Sequence, residues 1–487
     1  MKRLKQLTTS TYIFFLFLGL IACGQSNSKS LDKIQQEKID AYIEHIQKRH
    51  EVPGVSLAIL KKGKVVYQNK YGKANIEHNV AISDASIFRV YSLTKPIVSV
   101  AVFQLIEQGK LSLEDTIDKY VKGLPNDWNN TQVKHLLTHS SGLPNMGSFP
   151  SRSKLTESQV KDTVFKINKI AGLGETYQYN QTNFWLLQLI IEKVTGEQME
   201  DFILKNQFEN EKQNVFFSSN SKEIIKNRVT AYFPFETGTI QIDHPSLIGR
   251  YMFAANGLNI TLDEFVKWDQ KLRNNQLIRK ETKERMWKTF PYSNSNRLFA
   301  YSWDKRIVNG HDSFGFSGSL ITAYRVFPKD DLSIVFLSNG LGNYYNIENI
   351  INHIASLIDE GIQDFQNTAF ETLSQAIVDG DEKILNQQFQ KLKSQNQSRK
   401  INLETALNDL GYQLINQKRM EKAVQVFRLN TQKHPTSANT FDSLGEVYLM
   451  MNDFDSAEKN YQKAIALGGT NGNAKNMLEQ IKQTKKN

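Results

Sequence analysis

The chain has 487 residues, of which 40% are hydrophobic and 23% charged, with 27 glycines and 10 prolines. This composition excludes a collagen-like chain, a wholly disordered chain and a polytopic membrane protein, and the length predicts about three structural units. The net charge is +10, but the basic residues are interspersed with acidic ones and form no long basic block, so we predict no nucleic-acid partner. A single cysteine excludes an intrachain disulfide and a multi-cysteine metal site.

The N-terminal segment has the features of an export signal. Three basic residues within positions 1–5 precede an apolar stretch, 12–22, that is too short to span a bilayer as a helix. The sequence LIACG around Cys23 resembles the lipobox of bacterial lipoproteins, in which cleavage precedes the cysteine and the thiol is acylated. We therefore predict a signal peptide over 1–22, lipid attachment at Cys23 and a polar tether over 23–37. The protein is then a membrane-anchored lipoprotein of the cell envelope, on a periplasmic or other extracytoplasmic face.

Residues 38–357 mix short alternating strands with amphipathic helices, which is typical of one α+β domain. Apolar residues at 55–60 and 65–67 flank a Lys-Lys-Gly turn and predict a β-hairpin. A second hairpin is predicted from 323–327 and 332–337, which flank the turn 328–331. Asn309 and Gly310 predict a further hairpin turn.

Ser92 and Lys95 are three residues apart, so on a helix they share one face and the amine can take the hydroxyl proton. Seven other serines also have a lysine three residues on, so this spacing alone has little weight. Ser92 differs from them because it precedes the nearly all-apolar run 97–103, which predicts a buried helix. Desolvation there disfavours a charged lysine and makes Lys95 a usable base near neutral pH.

Three stretches extend this motif: FRVYSLTK at 88–95 with LIEQGKLSLED at 105–115, VKHLLTHSSGLP at 133–144, and GETYQYNQ at 174–181 with the segment that follows to 196. Together they resemble the penicillin-recognising serine hydrolase family, which comprises class C β-lactamases, D-alanyl-D-alanine carboxypeptidases and related esterases. The resemblance covers roughly residues 38–357. It implies a β-lactamase-like fold, with an antiparallel sheet packed with helices and an all-helical region.

The resemblance implies Ser92 as the nucleophile, Lys95 as its proton partner and Tyr179 as a second base that relays the proton to the leaving group. Because a free phenol has a pKa near 10, we expect Lys95 to lie beside Tyr179 and to lower the pKa of the phenol. The family has an asparagine where this chain has Gln181, a longer amide that can still hydrogen-bond substrate or Lys95.

The third motif of the family begins with Lys or His, which binds a substrate carboxylate. The best match in this chain is Phe316-Ser317-Gly318-Ser319, in which the small residues remain and the cation is absent. Ser317, Gly318 and Ser319 are expected to line the substrate site, and the backbone N–H groups of Ser92 and Ser319 to polarise the carbonyl. The missing cation should weaken reaction with penicillins and D-Ala-D-Ala peptides more than with neutral esters or amides.

Histidines 135 and 139 have the i, i+4 spacing of metal ligands, but no Glu between them and no evident third ligand. We predict a structural pair and no metal. A serine acyl-enzyme needs no nucleotide, and no Gly-rich phosphate loop is present, so we also predict no cofactor. His311 adjoins a predicted turn and is expected to have no catalytic role.

From about residue 366 the pattern becomes all-helical with a 34-residue period. Leu410-Gly411 recurs as Leu444-Gly445, Ala423 as Ala457, and Phe427 as Tyr461. This resembles tetratricopeptide repeats, and we predict an all-α repeat domain over 366–487, completed by the less regular helices at 370–393 and 473–485. Two interpretations stay open: a stabilising cap on the hydrolase domain, or a groove that binds a peptide or protein partner.

The sequence thus predicts an exported, lipid-anchored serine hydrolase that acts on an ester or amide, including peptides, through an acyl-enzyme at Ser92. One alternative is β-lactamase or D-alanyl-D-alanine carboxypeptidase activity on β-lactams or cell-wall peptides. Another is a catalytically weak scaffold that binds peptides through its helical repeats.

Overall fold

The computed structural model describes residues 31–148, 155–209, 212–234, 240–242, 248–340, 347–396, 400–468 and 473–485. The predicted signal peptide, Cys23 and most of the predicted tether lie outside these residues. In the part of the chain that is described, no helix is both long and apolar enough to cross a bilayer.

The strands are, in chain order, β1 (Gly54–Lys61), β2 (Lys64–Asn75), β3 (Val80–Ala81), β4 (Ile87–Arg89), β5 (Val215–Phe217), β6 (Tyr232–Pro234), β7 (Ile240–Ile242), β8 (Leu258–Thr261), β9 (Asp304–Val308), β10 (His311–Gly318), β11 (Thr322–Phe327) and β12 (Leu332–Ser338). Seven of them form an antiparallel sheet in the order β3-β2-β1-β12-β11-β10-β9. A smaller sheet has the order β4-β8-β5.

The helices before residue 360 are α1 (Lys33–His50), α2 (Thr94–Glu107), α3 (Val133–Leu137), α4 (Glu157–Val164), α5 (Gln181–Thr195), α6 (Met199–Gln207), α7 (Phe253–Asn256), α8 (Leu262–Arg273), α9 (Lys280–Met286) and α10 (Ile347–Ile358). Those after it are α11 (Phe365–Val378), α12 (Glu382–Gln395), α13 (Leu403–Asn416), α14 (Met420–Lys433), α15 (Ala438–Met450), α16 (Phe454–Ala466) and α17 (Asn473–Thr484). The expected α+β domain followed by an all-helical region is confirmed.

The large sheet is covered on both faces. Helices α1 and α10 pack on one face, where side chains of β1, β11 and β12 complete an apolar core. Helix α2 lies in a second, larger core on the other face, together with α5, α6 and α8. Residues 94–105 of α2 are all buried, which confirms the predicted buried helix and places its N-terminus between the sheet and the helical layer.

The three predicted hairpin turns are confirmed by the pairing of β1 with β2, β9 with β10, and β11 with β12. The predicted tether over 23–37 differs from the structure at its C-terminal end, because α1 begins at Lys33, inside that stretch. Asp32 accepts a hydrogen bond from the backbone N–H of Gln35 at 2.7 Å and so caps a helix whose apolar residues pack on the sheet.

The helices from α11 to α17 share a separate apolar core. Gly411 on α13 lies against the ring of Phe427 on α14, where an added Cβ would be 2.3 Å from the ring. Gly445 on α15 meets the ring of Tyr461 on α16 in the same way, with an added Cβ at 3.0 Å. The 34-residue period therefore corresponds to glycines that let paired helices cross closely. Its assignment to tetratricopeptide repeats stays a prediction.

An ion pair joins the all-helical region to α1 of the α+β domain. Arg49 of α1 donates to Glu371 of α11 at 2.7 Å, and both side chains are 1% exposed. The Arg49 guanidinium also lies 5.2 Å from the centre of the Phe370 ring. Beside it, His45 Nδ1 is 2.7 Å from a carboxylate oxygen of Asp379. Removal of one partner from such a buried pair leaves an uncompensated charge, so α1 and α11 are firmly coupled.

Candidate active site

Ser92 lies on a sharp connection between β4 and α2. Tyr91 before it has φ 48°, a left-handed conformation that is strained for a bulky side chain, and begins a short 3₁₀ turn at 91–93. Thr94 stabilises the turn, because its hydroxyl donates to the Tyr91 carbonyl at 2.6 Å and accepts from the Leu258 N–H at 3.1 Å. The turn leaves Ser92 partly exposed while the following residues are buried.

Lys95 is fully buried one residue into α2. Its Nζ lies 3.2 Å from Ser92 Oγ, 3.0 Å from Gln181 Oε1 and 2.7 Å from the carbonyl oxygen of Ala255. Burial holds the pKa of the amine well below its usual 10.5, and no carboxylate among the described residues forms an ion pair with it. The expected desolvation of Lys95 is confirmed.

These contacts fix the direction of the hydrogen bonds when the Lys95 amine is unprotonated. The Ala255 carbonyl and Gln181 Oε1 only accept, so they take the two N–H groups and the lone pair of Nζ faces Ser92. Ser92 then donates to Lys95 and accepts from the Tyr179 hydroxyl, which is 2.6 Å from Oγ. The arrangement is a directed relay, Tyr179 to Ser92 to Lys95, with the base already beside the proton it removes.

Tyr179 lies beside Lys95, whose Nζ is 4.8 Å from the centre of the phenol ring, but its protonation differs from the expectation. The side chain is 36% exposed, yet its hydroxyl packs against Ser92 and burial raises the pKa of Tyr179 to about 12, despite hydrogen bonds to Ser92 and Gln181 that lower it. The expectation that Lys95 lowers the pKa of the phenol was therefore wrong. An uncharged amine supplies no attraction for a phenolate, so Tyr179 is suited to donate a proton before it accepts one.

Gln181 is the first residue of α5, and Asn180 caps that helix. The Asn180 side chain accepts from the Thr182 N–H at 2.8 Å and donates to the Leu143 carbonyl at 2.6 Å, so the N-terminus of α5 is held to the loop after α3. From this position the longer amide of Gln181 reaches Lys95 directly. Gln181, which stands where the family has an asparagine, thus still provides a hydrogen-bond partner for the Lys95 amine.

The third-motif stretch forms the end of β10 and the turn after it. An added Cβ on Gly318 would lie 1.9 Å from the Val90 carbonyl oxygen, so only glycine lets β10 approach the segment that precedes Ser92. Ser317 is half-buried on the strand and Ser319 is exposed in the turn. Within the described residues, neither the Ser92 N–H nor the Ser319 N–H donates a hydrogen bond. Both are therefore free to bind a carbonyl oxygen, as an oxyanion hole requires.

Phe316 occupies the position of the family cation and is 8% exposed. Its ring stacks on Tyr179 with 6.3 Å between the ring centres and meets Phe299 edge-on at 6.1 Å. Where the family has a cation that binds a carboxylate, this chain thus has an aromatic wall of Phe316, Tyr179 and Phe299, and the Phe316 ring carries no charge.

Histidines 135, 139 and 311 each make a hydrogen bond within the fold. His135 Nδ1 accepts from the Gln132 N–H at 3.2 Å, and His139 Nδ1 from the Asn180 N–H at 3.1 Å. His311 lies at the far end of β10 from Ser319 and contacts Asp330 at 2.8 Å. In the described part of the chain, no three side chains of His, Cys, Asp or Glu are grouped closely enough to hold a metal ion.

Sequence reasoning missed two contributors to the site. The Ala255 carbonyl belongs to α7, 160 residues from Lys95, and backbone atoms leave no signal in a sequence. Thr94 lay inside the quoted motif, but its bond to the Leu258 N–H depends on β8, which pairs with β4.

A family model described as β-lactamase matches residues 39–354. The fold and the serine-lysine site are those of a serine hydrolase. The chain belongs to the serine β-lactamase and penicillin-binding protein family, and the resemblance of residues 38–357 to this family is confirmed.

Known relatives match only in part. Protein flp of Staphylococcus aureus is 29% identical over 175 residues, which are 34% of this chain and 35% of that protein. Penicillin-binding protein 4* of Bacillus subtilis is 25% identical over 287 residues, 55% of this chain and 63% of its own length. The chain therefore spans between about a third and two thirds of these relatives. The octameric penicillin-binding protein homologue from Pyrococcus abyssi has a similar structure, with TM-score 0.59 and 25% identity, over 70% of this chain and 81% of that one.

Proposed function

We propose that this chain is a hydrolase of neutral esters or amides, peptides included, which it cleaves through an acyl-enzyme at Ser92. The observation that supports this most directly is the relay from Tyr179 to Ser92 to Lys95, with contacts of 2.6 and 3.2 Å. Nucleophile, base and acid are then in place before substrate binds.

In the proposed cycle, Ser92 attacks the substrate carbonyl as its proton passes to Lys95. The N–H groups of Ser92 and Ser319 bind the oxyanion. When the tetrahedral intermediate collapses, Tyr179 donates its proton to the departing oxygen or nitrogen, and the Lys95 ammonium restores the proton to Tyr179. Water then attacks the acyl carbon, and its proton passes through Tyr179 to Lys95. When the bond between the acyl group and Ser92 breaks, the Lys95 ammonium returns a proton to Ser92 Oγ, which regenerates the serine and releases the acid.

A fluorophosphonate probe tests the nucleophile. We expect the wild-type protein to be labelled at Ser92 and Ser92→Ala to remain unlabelled, as read by intact mass and peptide mapping. Incubation with benzylpenicillin before the probe distinguishes substrates: protection of Ser92 favours the β-lactam-recognising alternative, and no protection favours neutral substrates. Absence of wild-type labelling would favour the catalytically weak scaffold instead.

Phe316→Lys tests why penicillins should react poorly. A lysine at this position supplies the absent cation, and a charge-assisted contact with the penicillin carboxylate should raise the rate of Ser92 acylation by about tenfold or more. The rate is measured by mass spectrometry over time. Phe316→Leu removes the ring without adding charge and should show no such gain; an equal gain in both variants would mean that the ring, and not the missing charge, limits penicillins.

We further propose export and a lipid anchor at Cys23, which places the protein on the cell envelope. The LIACG sequence and the apolar stretch before it support this proposal. Radiolabelled palmitate incorporation that is lost in Cys23→Ser would test it.

For the helical region we propose the role of a stabilising cap that consists of tetratricopeptide repeats. The buried contact between Arg49 and Glu371 favours this role over a free groove. A peptide or protein partner for the repeats, stated above as the other interpretation, gains no comparable support from the described residues.

A further inference from the structure

His139 touches the chain on both sides of Tyr179. Its backbone carbonyl accepts from the Gln178 N–H at 2.7 Å, and its Nδ1 accepts from the Asn180 N–H at 3.1 Å. The two N–H groups belong to the residues immediately before and after Tyr179. The imidazole ring also packs against the Tyr179 ring, with 4.7 Å between ring centres. One residue therefore holds the backbone and the ring of the proposed acid.

The hydrogen bonds require one tautomer of His139. The backbone N–H of Asn180 can only donate, so Nδ1 must carry its lone pair and the ring proton lies on Nε2. The Asn183 amide nitrogen, 3.5 Å from Nδ1, adds a second donor, since the Asn183 oxygen already accepts from the Ser141 hydroxyl at 2.6 Å. A proton on Nδ1 would face these donors and break the contact with the Tyr179 segment.

The surroundings keep the ring neutral. His139 is fully buried among the rings of Tyr177, Tyr179, Phe184 and Phe299. Burial holds the pKa of His139 well below 6.5, and any positive charge on Lys95 would lower it further. Among the described residues, Lys95 is the ionisable amine that affects the pKa of the ring, and the other titratable neighbours are the phenols of Tyr177 and Tyr179. The residue also adopts φ 53°, a strained conformation that the neighbouring contacts maintain.

We propose that His139 is a positioning residue for the acid: its neutral imidazole fixes the Tyr179 hydroxyl at hydrogen-bond distance from Ser92. This inference rests on the proposed function, because it gives His139 no role apart from Tyr179. A displacement of about 1 Å at a reacting group can lower a rate by about 100-fold. A residue that keeps the Tyr179 hydroxyl in position can therefore have a large effect on the rate.

The test compares His139→Leu, which removes the acceptor, with His139→Asn, whose side-chain oxygen lies near the position of Nδ1. We expect His139→Leu to lower kcat for p-nitrophenyl acetate by about 10- to 100-fold with KM changed less than about twofold. The kcat of His139→Asn should be at least about tenfold higher than that of His139→Leu. His135→Leu is the matched control, since His135 also accepts a backbone N–H but does not touch Tyr179; it should lower the melting temperature and leave kcat unchanged.

The outcomes separate this inference from the proposed function. A wild-type protein that is unlabelled at Ser92 would overturn both. Two results would overturn the positioning role alone, provided that the wild-type protein is labelled at Ser92. One is a kcat in His139→Leu equal to that of the wild type. The other is an equal loss of kcat in His135→Leu and His139→Leu. If His139→Leu does not fold, His139→Asn is compared with His139→Gln, whose longer side chain places its amide near Nε2. The positioning role then requires kcat about tenfold higher in the Asn variant, and equal values contradict it.

Discussion

Lys95→Met should lower the rate of Ser92 acylation by about 10³- to 10⁴-fold while the fold is retained. Methionine fills a similar volume but cannot accept the Ser92 proton, so the relay loses its base. The Ala255 carbonyl and Gln181 also lose a donor. The measurement is the second-order rate constant for fluorophosphonate labelling at Ser92, together with kcat/KM for a p-nitrophenyl ester.

The same substitution should change how stability depends on pH. The pKa of Lys95 is depressed in the folded protein and near 10.5 in the unfolded chain, so between these values only the unfolded state binds the proton. The free energy of unfolding then rises as pH increases toward 10.5, by at most about 1.4 kcal/mol per pH unit from this group. Lys95→Met removes this contribution, which urea titrations at several pH values would detect as a shallower slope.

Lys283→Met is the matched control for both effects. Lys283 is also buried, with a pKa lowered by burial to about 8, and it donates to the carbonyls of Leu272 and Arg273 at 3.0 and 2.9 Å. It lies outside the site, so its replacement should alter stability and its pH dependence but leave labelling of Ser92 unchanged. An equal loss of labelling in the two variants would mean that Lys95 acts on the fold and not on the proton.

Gly318→Ala should lower kcat by about 10²- to 10³-fold. The new methyl group would be 1.9 Å from the Val90 carbonyl oxygen and 2.6 Å from Thr322 Oγ1, so β10 must move away from the segment that holds Ser92. This movement would separate Ser319 from Ser92, whose N–H groups are proposed to bind the oxyanion together. Overpacking should also cost about 1–3 kcal/mol of stability, measured by chemical denaturation alongside kcat.

Gly310→Ala provides the comparison on the same strand pair. Gly310 has φ 84° in the turn between β9 and β10, and an added Cβ there has no atom within 4 Å. The left-handed conformation should cost about 1 kcal/mol of stability without a change in kcat. If Gly318→Ala behaves like Gly310→Ala, the close approach of β10 to Val90 does not form the oxyanion site.

Much of the local structure was predictable because it depends on neighbours in the chain. Apolar residues around short turns predicted the hairpins β1–β2 and β11–β12, and the apolar run after Lys95 predicted the buried helix α2. The start of α1 at Lys33 was missed, because the composition of that stretch is polar and its helix is stabilised by contact with the sheet.

The residues that form the site were also predictable from the sequence. The protonation states of Lys95 and Tyr179 were not. Ser92, Lys95, Tyr179 and Gln181 do meet, although they come from two helices and a loop. The pKa values of Lys95 and Tyr179 depend mainly on burial, to which segments far apart in the chain contribute. For that reason the pKa of the Tyr179 phenol is raised to about 12 instead of lowered as expected.

The sequence by itself therefore determined the family, the α+β and all-helical regions, and the residues that meet around Ser92, since motifs and periodicity are local properties of the chain. Only the tertiary structure decided the pKa values of Lys95 and Tyr179, the packing of aromatic rings around Phe316 and the contacts of His139 with the Tyr179 segment. Each of these arises from desolvation or from contacts between distant segments, and both exist only once the chain is folded.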